Sequence, residues 1–402
     1  MSAIKPFNGL RFFGRDISKL VCPPYDIISE KEKKELKRMS RFNIVSVELP
    51  EAKGSKNKYK NAKTLLNDWI QKGILEKDED ESFYIHEQIF KDNGKIKSRK
   101  GFFAILKLEN PHKGSIKPHE KTLAKPKEDR LNLIRAVQAN ISPIFGLFND
   151  NNKSVVRLCE EITKEKESCL AKDKNKIIHK LWKVSDAPSI NTLVKALKNQ
   201  NVFIADGHHR YETAWNYMQE RKKTSGYKKD AVYNYVLIYL CAMEEPGLVV
   251  WPTHRVLSVP ENLEANIKKY FKVLPKSAYN KEALKNPQGM LVYYKKSYRT
   301  LAVKNPGILL KAMPDKCKAY RDLGVSILHN LLLKDVLPEN ITYVKNEQEA
   351  YKLADKTNRM AVIVPSTPVE AVKEIAQAGQ TMPQKSTYFY PKVSTGMVIS
   401  KF

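Results

Sequence analysis

Asn201-Val-Phe-Ile-Ala-Asp-Gly-His-His-Arg-Tyr-Glu-Thr-Ala214 is the stretch from which the rest of the chain is read. Val202–Ala205 is a short apolar run of the kind that forms a buried strand. Asp206-Gly207 interrupts it, and from His208 onward Tyr211, Ala214, Trp215 and Met218 recur at helical spacing. A strand that enters a helix through Asp-Gly leaves the first-turn N–H groups unpaired and directed at one point. Those groups and the helix dipole favour an anion there, usually a phosphate. Gly207 lets the backbone approach a ligand closely, and His208, His209 and Arg210 can donate hydrogen bonds to phosphate oxygens. Asp206 is the awkward member, because a carboxylate repels a nearby phosphate. The conflict is relieved if a magnesium ion bridges the two, or if Asp206 acts as base on a hydroxyl that attacks the phosphorus. The plainer alternative is that Asp206 caps the helix and the histidines are polar surface. A cap accounts for Asp206, but not for His-His-Arg gathered on one turn.

Length and composition bound what such a site can belong to. At 402 residues the chain exceeds one typical hydrophobic core, so two domains are expected. An apolar fraction of 42% with 29% charged residues is that of a soluble globular protein. The longest apolar stretch, Val232–Met243, is interrupted by Asn234 and too short to cross a bilayer. The opening residues, Met1–Phe7, lack the apolar core of a signal peptide, and the five cysteines form no Cys-x-x-Cys pair. A reducing, cytoplasmic setting without disulfides or a zinc ribbon is the expectation. The net charge of +27 raises nucleic acid as a partner. Only 14 of the 71 basic residues are arginine, however, and the lysines are scattered among glutamates, as in Glu30–Lys37. That pattern fits solvated helix faces better than a nucleic-acid surface.

Along the chain, Val21–Ile28 reads as a rigid extended entry through Pro23-Pro24, and Ser29 with Glu32 forms a capping-box pattern. Asn43–Leu49 alternates like a strand, and Tyr59–Gly73 carries one apolar helical face. Ser82–Phe90 and Gly101–Leu108 flank Asp92-Asn93-Gly94, a strong hairpin signal. Ile116–Arg130 is a charged loop too long for a mere connection. Leu131–Asn140 reads as a helix, and Ala231–Met243 with Leu248–Leu257 as two antiparallel strands joined at Glu244–Gly247. From Pro260 the pattern changes to short helices and strands. The expected domains are therefore 1–257, carrying the Asp-Gly-His-His-Arg site, and 258–402, a further α/β region.

P-loop, dinucleotide-binding, nucleophile-elbow and His-Glu-x-x-His motifs are absent from the sequence. Cys22 is a nucleophile only if exposed, and buried inert cysteine is the commoner case. Zinc binding by the adjacent histidines lacks a third ligand at suitable spacing.

The chain resembles the domain-of-unknown-function 1015 family over almost its whole length. The matching stretches are Pro23–Asp26, His119–Thr122, Asp129-Arg130, Ala139-Asn140, Ala205–Arg210 and Met382–Thr387. The Asp206–Arg210 turn, followed by Ala214, also resembles the phosphate-binding turn of the ParB/sulfiredoxin superfamily. His208 stands where sulfiredoxin has its cysteine nucleophile, and strands are expected where ParB has DNA-binding helices. The free-serine kinase branch shares the Asp-Gly-His-His-Arg form.

The resemblance implies a mixed-sheet α/β protein with a ParB/sulfiredoxin-like nucleotide-binding core and an additional C-terminal α/β region. It implies phosphoryl transfer from ATP or ADP, with magnesium, to a small hydroxyl substrate, L-serine first. Gly207, His208, His209 and Arg210 would bind the polyphosphate, with Lys121 and Arg130 neutralising charge. Asp206 would position magnesium or the acceptor, with His209 and Glu120 as further catalytic candidates. His119, Tyr25, Asp26, Lys385 and Ser386 are supporting candidates, and a homodimer is compatible. Two rivals are a ParB-like nucleotide-binding regulator without net chemistry and a nucleic-acid-associated basic protein.

Overall fold

The computed structural model describes residues 4–52, 57–111, 113–118, 124–275, 284 and 286–402. The chain forms two compact units: one built from residues 1–118, 122–248 and 391–402, the other mainly from 249–390.

The first unit is organised on a nine-stranded mixed sheet. Its strand order is Ile116–Lys117, Val202–Asp206, Ile144–Phe148, Tyr235–Ala242, Lys95–Lys107, Phe83–Asp92, Ile178–Val184 and Cys169–Lys172, with Ile4–Lys5 also paired to Lys95–Lys107. Two neighbouring pairs are parallel, Val202–Asp206 with Ile116–Lys117 and Tyr235–Ala242 with Ile144–Phe148; the others are antiparallel. The expected hairpin is present. Lys95 follows Asp92 through Asn93 and Gly94, both at positive φ (47° and 83°), as a two-residue turn matched to strand twist requires.

Alternation along the strands sends Ile144, Val202, Ile204, Ile238 and Ala104 to one face. There they pack with Tyr211, Ala214, Tyr217 and Met218 of the helix His208–Lys222, and with Leu193 and Leu197 of the helix Ala187–Leu197. Burying such side chains contributes roughly 1.5–3 kcal/mol each, which fixes the helix against the strand that precedes it. The opposite face is also buried but more polar, with Arg99, His86, Gln88 and Tyr239 all at 0% exposure.

The second unit carries a six-stranded antiparallel sheet in the order Phe271–Val273, Ser297–Val303, Met290–Tyr294, Met360–Ile363, His254–Leu257, Thr342–Val344. The helix Glu347–Thr357 buries Ala350, Tyr351 and Ala354 against Val256, Leu291 and Ile363 of that sheet. Among the described residues, no helix is long and apolar enough to cross a membrane.

Three local expectations are corrected. Val45–Glu48 is a short helix, not a strand, because the Asn43 side chain accepts from the Val45 N–H and donates to the carbonyls of Lys19 and Val21. Those bonds give the backbone a local alternative to a ladder. Tyr235–Ala242 and the segment after Gly247 do not form a hairpin. Tyr235–Ala242 pairs within the large sheet, Val249–Trp251 pairs with Tyr388–Tyr390, and His254–Leu257 joins the six-stranded sheet. The second compact unit begins at Val249, whose strand pairs with Tyr388–Tyr390. The expected helix Leu131–Asn140 is instead Ala124–Val137, with Ala139–Asn140 forming a short strand paired to Ser400–Lys401.

Candidate functional site

The strand Val202–Asp206 ends irregularly. Its register against Ile144–Phe148 shifts between Ile204 and Asp206, a bulge of the kind that re-aims a side chain at the end of a strand. Gly207 follows at φ 89°, in the left-handed region that glycine occupies without a Cβ penalty, and the helix His208–Lys222 begins at once. Gly207 itself is the N-cap and, having no side chain, makes no side-chain capping bond. The capping alternative for Asp206 is therefore not what the structure shows.

The Asp206 carboxylate instead sits between two cations. Arg210 Nη2 donates to Oδ2 at 2.7 Å, one helical turn on, and the Lys392 ammonium donates to Oδ1. The side chains are mostly enclosed, at 18% exposure for Asp206 and 10% for each partner. Burial alone would raise the Asp206 carboxyl, but Lys392, Arg210 and the nearby His208 outweigh it and hold it well below the usual carboxylate range. Arg210 is fixed at its other end, where Nη1 donates to the Pro143 carbonyl. Burial lowers its guanidinium, yet the fields of Asp206, Asp26, Tyr25 and Glu48 raise it above the ordinary value.

Residues far apart in sequence meet around this turn. The Arg130 guanidinium lies 4.4 Å over the Tyr25 ring and donates to the Glu48 carbonyl at 2.8 Å, with Glu48 Oε1 at 3.4 Å. Its other edge is paired to Asp129, whose carboxyl is raised by burial but pulled to about 2 by Lys58, Arg130 and Tyr59. Burial pushes the Tyr25 phenol up to about 12. Arg130 and Arg210 both line a recess with Glu48, Asn140, Ser142 and Thr213 over an apolar floor that includes Leu133 and Ile134. The recess has a cavity volume of about 40 Å³, room for about three waters where one needs roughly 10–15 Å³. The buried Asn140 Nδ2 finds no hydrogen-bond partner there.

Of the predicted residues, the structure brings together Asp206, Gly207, His208, Arg210, Arg130, Tyr25 and Asp26. His209 is half-buried on the same turn, and its carbonyl accepts from Thr213 Oγ1. Lys385 and Ser386 belong to the second unit. Lys385 is exposed at φ 56°, while Ser386 is buried, donating to the Pro383 carbonyl and accepting from Thr367. His119, Glu120 and Lys121 lie outside the described residues. Lys392 and Glu48 were not singled out from sequence. Lys392 lies just beyond the family stretch Met382–Thr387, and Glu48 sits in the segment read as a strand. Cys22 is buried, and burial pushes its thiol well above the ordinary value, which removes it as a nucleophile.

A resident magnesium does not fit this donor set. Both Asp206 oxygens are held by cations, and no group of three or more His, Cys, Asp or Glu that could hold a metal occurs among the described residues. Magnesium is usually held by one or two carboxylates together with waters and substrate phosphates, and the one carboxylate at this turn is already paired on both oxygens.

Among solved structures, a free serine kinase variant in complex with ADP is similar at 12% identity and a TM-score of 0.37, over 70% of this chain and 89% of that one. SbnI with a C-terminal truncation from Staphylococcus aureus is similar at 9% identity and 0.38, over 74% and 87%. A conserved hypothetical protein from Pyrococcus furiosus is similar at 13% identity and 0.35, over 70% and 92%. No curated protein matches the chain significantly. Residues 4–326 match the family model described as "Protein of unknown function (DUF1015)", and the chain belongs to that family.

Proposed function

We propose that this protein is a nucleotide-dependent phosphotransferase acting on a small hydroxyl acceptor, with free L-serine the first candidate. The observation that carries the reading is the Asp206 turn: a carboxylate held by two cations just before a helix N-terminus whose cap is a glycine, with Arg210 sharing a recess with Arg130. An anionic polyphosphate is the ligand that such a turn favours. Arg210 and the Gly207–His209 backbone would bind it, and Arg130 would neutralise charge that develops during transfer. Asp206 would accept the proton of the attacking hydroxyl, with Glu120, His119 and Lys121 as further candidates from sequence. The choice of serine, and of ATP or ADP as donor, comes from the likeness of Asp206–Arg210 to the turn of free-serine kinases. No step is routed through magnesium, for which the described donors are unsuited.

A second reading is favoured by one observation. Both oxygens of Asp206 are engaged, as in a site that binds nucleotide and switches without chemistry. Incubation with serine and each of ATP, ADP, CTP and pyrophosphate, with and without magnesium, followed by mass spectrometry for phosphoserine, separates the two. Phosphoserine formation supports the kinase. A raised melting temperature with nucleotide but no product supports the switch. If no nucleotide shifts the melting temperature, the phosphate site itself is refuted. Arg210→Ala should abolish nucleotide binding, and Asp206→Asn should keep binding and lose turnover.

A further inference from the structure

Arg130 and Asn140 come from two of the stretches through which the chain resembles its family, and both line the recess that reaches Arg210. The chain bends to bring Asn140 there. The helix Ala124–Val137 is followed by Gln138 at φ 51°, a left-handed residue that ends it. Ala139-Asn140 then runs as a short strand paired to Ser400–Lys401.

The polar atoms of the recess are not all used by the fold. Asn140 is 6% exposed, and its Nδ2 has no hydrogen-bond partner. A buried amide donor left so carries its full desolvation cost, which a ligand oxygen would relieve. Arg130 directs Nε and Nη2 to Asp129, and Nη1 to the Glu48 carbonyl and Oε1. Its Nη2 has a second hydrogen, which no bond among the described residues takes. The buried Glu48 carboxylate accepts from Ser142 at 2.8 Å and from Arg130 at 3.4 Å, both on Oε1. Its Oε2 takes no bond among the described residues. A carboxylate entering alone would face Glu48, and an ammonium entering alone would give Asn140 and Arg130 no acceptor. A molecule that bears both groups satisfies both ends.

Size narrows the choice further. The cavity of about 40 Å³ has room for about three waters, which occupy about 90 Å³ as liquid. That suits a small amino acid, and neither a nucleotide nor a large side chain. Leu133, Ile134, Ala139 and Ile141 supply an apolar floor for its carbons. Arg210 lines the same recess and donates to Asp206 Oδ2 at 2.7 Å, so a molecule seated there adjoins the turn.

We infer that this recess is the acceptor subsite and takes the head group of a small free α-amino acid. The ligand carboxylate accepts from Asn140 Nδ2 and Arg130 Nη2, and its ammonium donates to Glu48 Oε2. Its short side chain extends past Arg210 towards Asp206. The inference rests on the phosphotransfer reading, whose acceptor it places, and adds Asn140 and Glu48 as binding residues.

The test is titration calorimetry on the full chain, with and without ADP, using L-alanine as the probe because it has no hydroxyl to phosphorylate. L-alanine and L-serine should bind. L-lactate, which lacks the ammonium, and ethylamine, which lacks the carboxylate, should bind at least tenfold more weakly, and L-phenylalanine should be excluded. Asn140→Leu keeps the branched outline and removes the donor. It should weaken L-alanine binding tenfold or more with the melting temperature held, whereas loss of a merely structural asparagine would lower that temperature. If Asn140→Leu does not fold, Asn140→Asp decides, since it sets a carboxylate against the ligand's own and should weaken binding as much. L-lactate binding as tightly as L-alanine, or a folded Asn140 variant binding like the wild type, overturns the inference. So does a wild type that binds ADP but no amino acid, which leaves the phosphotransfer reading standing. A wild type that binds L-alanine but no nucleotide supports the amino-acid site and overturns the phosphotransfer reading.

Discussion

Gly207→Ala isolates the turn on which the site is built. At φ 89° an L-residue is held in the left-handed region, which costs about 1–2 kcal/mol. The new Cβ would also meet three atoms at 3.1 Å: Arg210 Cζ, Arg210 Nε and Ile144 Cγ2. Ile144 is at 0% exposure in the middle of the sheet and has nowhere to go. Arg210 must therefore give way, loosening its bonds to Asp206 and to the Pro143 carbonyl. Strain and displacement together come to roughly 2 kcal/mol. For a unit of this size each kcal/mol lowers the melting temperature by about 2–4 °C, so a fall of about 4–8 °C is expected. Differential scanning calorimetry measures it, and ADP titration on the same sample should show binding lost with Arg210. Gly207→Asn, whose side chain tolerates positive φ, should recover part of the stability but not the binding, since its Cβ meets the same atoms. A Gly207→Ala protein that melts with the wild type and binds ADP equally would refute both the strain and the placement of the site.

Three further outcomes follow from the same geometry. Asp206→Asn leaves Arg210 and Lys392 facing an uncharged group and should cost about 3 kcal/mol at pH 7. Because the folded carboxyl titrates below its unfolded value, that contribution is complete above about pH 4 and fades as pH falls further, so wild type and variant should converge in acid urea titrations. Arg130→Met breaks the buried pairing with Glu48 and the stack on Tyr25, and should cost about 3 kcal/mol in urea unfolding. In the second unit, burial holds the His329 imidazole down at about 3, so it stays neutral where the unfolded chain gains a proton. Stability is then present above about pH 6.5 and lost below it by roughly 1.4 kcal/mol per pH unit. His329→Leu should flatten that slope, and an unchanged slope would contradict the burial of this side chain.

Legibility from sequence followed how local each cause is. The Asn93-Gly94 hairpin and the strand–Gly207–helix junction were readable because a two-residue turn or one glycine dictates them. The helix cap at Ser29, which accepts from the Glu32 N–H, is local in the same sense. Asn43–Leu49 failed because apolar alternation was weighed without the Asn43 amide, whose bonds to Lys19 and Val21 lie more than twenty residues back. The hairpin expected after Ala231 failed because strand partners are chosen by whole-sheet packing. Val249–Trp251 finds Tyr388–Tyr390, well over a hundred residues away. The site divides the same way. Asp206–Arg210 is one turn of chain and was visible, whereas the ion pair from Lys392 spans 186 positions and no spacing announces it. Glu48 was hidden by its misread element.

Asp206 now poses a sharper alternative than capping against catalysis. A carboxylate held by two cations is a poor base and a poor metal ligand, so in the resting state this turn is silent in either chemistry. A phosphate at the first turn would compete with Asp206 for those two cations, so binding would weaken the ion pairs on the carboxylate and raise its basicity as the phosphorus arrives. A turn that only switches would keep both pairs, and Asp206→Asn would then leave nucleotide affinity where it was.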